Sequence, residues 1–88
     1  MTLQYGDPVW DGPGKWDLLT ALGEPEKRVH FTITSSAVGR RPIGVIIRAL
    51  EATDEEKLNF RVRADLIAGP SIWLSYNTKT RQGKVISF

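Results

Sequence analysis

The chain has 88 residues, no cysteine and a formal net charge of +2. That bounds it to one small domain, 1–88, and excludes a disulfide framework, a cysteine zinc site and thiol chemistry. With 41% hydrophobic and 25% charged residues, it has the composition of a soluble globular domain, and no run approaches the ~18 apolar residues of a membrane span.

The opening residues Met1 to Asp7 have neither the basic start nor the apolar middle of a secretory signal, so a cytoplasmic location without membrane contact is expected. Residues 1–26 carry Asp7, Asp11, Asp17, Glu24 and Glu26 against Lys15 alone, whereas the basic residues concentrate in 27–88. The plain reading is an acidic leading segment lying against a basic body; the sharper one is a basic body facing an anionic partner.

In chain order, 1–27 reads as a loop followed by one short helix. Residues 5–14, Tyr-Gly-Asp-Pro-Val-Trp-Asp-Gly-Pro-Gly, are too rich in glycine and proline for a helix or a central strand and are expected to form an ordered loop. Lys15 to Leu22 spaces Leu18 and Leu22 four apart and Trp16 and Leu19 three apart, a short amphipathic helix. Gly23 is expected as its left-handed cap, with Pro25 beyond it.

From 28 to 88 the pattern turns to strands. Val29, Phe31 and Ile33 alternate with His30, Thr32 and Thr34; Ser35 to Arg41 connects. Ile43 to Ala52 follows, with a bulge expected where the alternation shifts between Ile47 and Leu50. Residues 53–69 are ambiguous, since Thr53 and Glu56 fit a helix capping box. Yet Leu58, Phe60, Val62, Ala64 and Leu66 occupy every second position. A helix would misplace large side chains worth ~1.5–3 kcal/mol each, more than the ~1 kcal/mol of a cap. A strand is therefore expected, with Asp54 to Lys57 as a hairpin loop; the alternative is an α+β chain with a helix over 54–68.

Ile72, Leu74 and Tyr76 begin another strand, Asn77 to Gly83 form an exposed hairpin tip, and Lys84 to Phe88 return with Phe88 packed inward. The sum is a mainly β fold: about five short antiparallel strands in a curved sheet or small open barrel, with no internal repeat.

Catalytic chemistry finds little support. His30 is the single histidine, no nucleophile motif surrounds Ser35 or Ser36, Gly12 and Gly14 lack the rest of a phosphate loop, and Asp54-Glu55-Glu56 lack the spacing of a calcium loop. No enzyme, metal or cofactor is expected.

Binding has more material. Tyr5, Trp10, Trp16 and Trp73 are candidates for a protein interface, because aromatic residues and arginine dominate interface hot spots. The competing reading is that the leading loop plugs the core, Trp16 above all. The edge strands Val29–Thr34 and Lys84–Phe88 could also be extended by a second copy. The leading expectation is an accessory or regulatory binding module for a protein partner or for itself, as a homodimer. The alternative is a nucleic-acid-binding domain using His30, Arg48, Arg61, Arg63 and Trp73 on one sheet face, where bases stack and guanidinium groups hold phosphates.

Overall fold

The computed structural model describes residues 3–35, 39–67 and 69–88. Its elements are β1 Pro8–Trp10, α1 Lys15–Gly23, β2 Arg28–Ser35, β3 Gly39–Ala52, β4 Asn59–Leu66, β5 Ser71–Asn77 and β6 Gln82–Ser87. The strands form a closed antiparallel barrel in chain order, β1 through β6. The mainly β expectation and the strand at 59–66 hold, and the helical alternative does not.

Two expectations need correction together: among the described residues there are six strands, and the barrel is closed. The sixth is the middle of the glycine- and proline-rich segment. Val9 pairs with Ile33 on one side and Gly83 on the other, and its side chain is fully buried. Pro8 is tolerated because it begins the strand, where the missing N–H is least costly. Beyond Pro8 the seam continues: Gly6 N–H donates to the Val85 carbonyl at 2.7 Å, and Val85 N–H to the Asp7 carbonyl at 3.0 Å. Because β1 lies between β2 and β6, neither Val29–Thr34 nor Lys84–Phe88 is the free edge that an open sheet would have left.

β3 starts earlier than its sequence pattern suggests. Gly39, Arg40 and Arg41 pair with Ser35, Thr34 and Ile33; the rest of that predicted connection, 36–38, lies outside the described residues. The expected bulge is present between Ile47 and Ala49. It leaves Arg48 as the extra residue, so the strand bends and can serve both halves of the barrel. The β3–β4 loop turns on Asp54, whose Oδ1 accepts the N–H groups of Leu58 at 3.0 Å and Asn59 at 2.9 Å. This short-range competition explains why a capping-box sequence makes a loop instead.

α1 covers one end of the barrel with Leu18 and Ala21. Trp16, for which plugging the core was the competing reading, is exposed, and Leu22, spaced to share a side with Leu18, is exposed too. Trp16 lies about 200° around the helix from Leu18, on the side turned away from the barrel. Gly23 belongs to the helix; the left-handed conformation falls instead at Glu26 (φ 60°), after Pro25. Phe88 points outward and is more than half exposed.

Within the core Phe31 meets Tyr76 edge-on, ring centroids 5.1 Å apart and planes at 88°. The Tyr76 hydroxyl is buried with no hydrogen-bond partner among the described residues. The Gly12 backbone passes close to it. Burial pushes the phenol up to about 12, against weaker pulls downward from Arg81 and the Gly12 backbone. A raised folded-state pKa means that the associated stability is intact below pH 10 and is lost as the pH climbs from 10 towards about 12. Tyr76→Phe is expected to flatten that alkaline loss and to leave stability at pH 7 equal or higher by ~1 kcal/mol, since an unsatisfied buried hydroxyl disappears. Denaturant melts of both proteins at pH 7 and pH 11 check this.

Candidate nucleic-acid interface

The outer surface of β4, β5 and β6 follows from strand alternation. Phe60, Val62, Leu74, Tyr76 and Val85 turn inward, so their neighbours must turn out. Register then sets Asn59 beside Asn77 and Gln82, Arg61 beside Ser75 and Lys84, and Arg63 beside Trp73 and Ser87. Trp73 is half-buried because two guanidinium groups lie on it: Arg61 at 4.4 Å and Arg63 at 5.4 Å from its ring centroid.

Next to this stack lies a groove of about 300 Å³, lined by Asn59, Arg61, Ser75, Asn77, Gln82 and Ile86 among others. Arg61 is shared between stack and groove. The Asn77 carboxamide is fixed: its Nδ2 donates to Asn59 Oδ1 at 2.7 Å and its Oδ1 accepts the N–H groups of Lys79 and Thr80, both at 2.9 Å. Arg61 has Glu51 at 4.0 Å, an exposed and loose pairing. Among the described residues Arg63 and Lys84 have no carboxylate within ion-pair distance. The surface therefore combines a flat aromatic ring, cationic groups and amide donors and acceptors.

The other residues singled out from the sequence divide by location. Arg48 leaves the group: its Nε donates to Asp65 Oδ2 at 2.7 Å. Asp65 also accepts the Ser71 hydroxyl. That bond first, and Arg48 second, hold the Asp65 carboxyl below its ordinary value, so the Arg48 charge is locally answered. His30 leaves it too. It is exposed on β2 opposite Gly44, one residue past the last β3–β4 pair. Arg61 pairs with Glu51, seven residues further along β3, roughly 20 Å away at strand rise. His30, Thr32 and Thr34 thus do not extend the arginine face.

Trp10 is half-buried on the outside of β1, with Arg40 5.8 Å from its ring and Asp11 ion-paired to that arginine. Tyr5 stands in solvent in the turn before β1. Trp16 is 75% exposed, accompanied by Leu19 and Leu22, with Lys15 5.5 Å from its ring. The four aromatic candidates therefore do not make one interface. Asn77 and Gln82 had no signal in sequence beyond an exposed hairpin composition, and Ile86 none beyond its place in the last strand. Only the β5–β6 register, with its irregularity between Trp73 and Leu74, brings them to the groove.

Among the described residues no group of three or more His, Asp or Glu is arranged to hold a metal ion, and no helix is long and apolar enough to cross a membrane. Comparison with protein-family models, curated proteins and solved structures finds no match.

Proposed function

We propose that this chain is a non-enzymatic binding module that takes single-stranded nucleic acid on the outer face of β4–β5–β6. The observation that supports it is the Arg61–Trp73–Arg63 stack bordering a groove lined by both polar and apolar side chains. Single-stranded bases bind by stacking on aromatic rings or guanidinium planes while cations track the phosphates, and amide side chains meet base edges.

The test is oligonucleotide binding across a salt series, followed by tryptophan fluorescence. Each phosphate contact to a single strand contributes a slope of about −0.7 in log K against log salt, so Arg61→Ala with Arg63→Ala should flatten the slope by about 1.4. Trp73→Ala should cost about 1–3 kcal/mol of affinity, and His30→Ala should change nothing. Absence of binding at low salt, or a double variant that binds like the parent, would overturn the proposal.

A protein partner is the second reading. It rests on a different observation, the solvent-exposed Trp16, Leu19 and Leu22 of α1.

A further inference from the structure

Asn59, Asn77 and Gln82 stand side by side across β4, β5 and β6 and line the groove. Which end of a carboxamide is free decides what it can hold, since the oxygen accepts and the nitrogen donates. Asn77 is oriented by the turn that follows it. Its Oδ1 accepts the N–H groups of Lys79 and Thr80, both at 2.9 Å, a place that only an oxygen can fill. Its Nδ2 is therefore the end turned to Asn59, and it donates to Asn59 Oδ1 at 2.7 Å. A nitrogen of Asn59 in that place would set donor against donor, so Asn59 is oriented in its turn. The backbone of the hairpin tip thus dictates, through two side chains, which atoms the first residue of β4 has to offer.

What this leaves over is mostly donors. Among the described residues neither N–H of Asn59 Nδ2 meets an acceptor, and Asn77 Nδ2 keeps its second N–H. Arg61, two residues along the same face of β4, adds a guanidinium that only donates. On the acceptor side, Asn77 Oδ1 is filled by two N–H groups and Asn59 Oδ1 keeps one lone pair. Thr53 gives its hydroxyl hydrogen to the Asn59 carbonyl at 3.2 Å, which leaves its oxygen to accept. The Ser75 hydroxyl and the Gln82 amide can turn either way. The fixed groups are therefore a row of donors with a lesser share of acceptors.

Nucleobases differ in the polarity of their exocyclic group. Guanine carries O6 beside N7, and thymine carries O4 as uracil does, all acceptors; adenine carries an amino group at N6 and cytosine one at N4. Against a row of donors a keto base forms hydrogen bonds where an amino base sets N–H against N–H. Polar groups stripped of water and left unpaired make that mismatch costly. From this, and resting on the single-strand reading above, we infer that the groove takes a keto base (uracil, thymine or guanine) in preference to cytosine or adenine. Asn59 and Arg61 are the donors that read it, and Asn77 is the residue that positions Asn59. Trp73 supplies the stacking that any base receives, and Asn59 supplies the choice.

The test is a titration of the full chain, followed by tryptophan fluorescence at one low salt concentration, with oligonucleotides of about 10 nucleotides. Oligouridine is set against oligocytidine and oligothymidine against oligodeoxycytidine, with an abasic strand of equal charge beside them. Each keto strand should bind about fivefold more tightly than its amino counterpart, or better, and the abasic strand more weakly than oligouridine. Asn59→Asp still accepts from Asn77 but puts an oxygen where the nitrogen was. The ratio within each pair should fall to unity or below, whatever the added charge does to both members. Asn77→Asp keeps the bonds from Lys79 and Thr80 and removes the donor to Asn59. The Asn59 amide then turns its nitrogen to the new carboxylate, and the ratio should fall again, with melting curves showing an intact barrel. Equal binding of the paired strands by the parent overturns the inference and leaves the stacking site standing. A preference that survives both substitutions, or an abasic strand bound as tightly as oligouridine, overturns it too. Binding of no strand at all removes it together with the site it rests on.

Discussion

Gly83→Ala is expected to cost the barrel about 3 kcal/mol or more, the largest loss from any single methyl group in this chain. Gly83 stands at the closure, paired with Tyr76 on β5 and Val9 on β1. A Cβ there would enter the space of the Ser75 carbonyl oxygen and lie 2.9 Å from the Tyr76 Cα. Both are backbone, so no rotamer relieves the overlap; β5 and β6 must separate. Separation at that point also loosens β1, which has three of its five register pairs with β6. A domain of this length has a total stability of only about 4–13 kcal/mol. Thermal and denaturant melts measure the effect, and a melting temperature within a degree or two of the parent would contradict the closure geometry.

Phe31→Ala should be comparably damaging, about 3–5 kcal/mol. Phe31 is fully buried, and its edge-on contact with Tyr76 adds to the area lost. The same position makes a sharper prediction about Gly12. A Cβ on Gly12 would meet the Phe31 ring at 2.6 Å and the Tyr76 hydroxyl at 2.8 Å, so Gly12→Ala alone should destabilise the barrel. Introduced beside Phe31→Ala and Tyr76→Phe, it should cost much less, because both obstructing groups are gone. A double-mutant cycle in denaturant reads this coupling directly. Additive losses would mean that the loop over the barrel end is free to move aside.

The arginine face was partly legible in the chain. Strand alternation over 58–66 places Arg61 and Arg63 on one side, and alternation over 72–76 places Trp73 outward, so the stack needed only the pairing of β4 with β5. Arg48 was misjudged because a bulge residue belongs to neither face, and because its answering carboxylate, Asp65, comes from another strand. His30 has the right alternation but the wrong height on the barrel. Height is set by register, which a single strand's pattern does not contain. The carboxamides of the groove were hidden for a similar reason: asparagine and glutamine near a hairpin tip look like turn chemistry until a neighbouring strand gives them a wall to form.

Composition marked this chain as cysteine-free and of globular character, and hydrophobic period alone separated strand from helix at 59–66, where local capping signals pointed the other way. Period succeeds there because burial of five alternating apolar side chains outweighs one cap. What the tertiary structure decided was closure. Val9 is a single buried residue inside a segment whose glycines and prolines suit a loop, and only partners on both sides, Ile33 and Gly83, make it a strand. With the barrel thus sealed, α1 docks on it through Leu18 and Ala21, which turns Trp16 to the opposite side of the helix and into solvent. Which face of a helix docks is set by the surface it meets, and a single helix's own apolar spacing does not contain that choice.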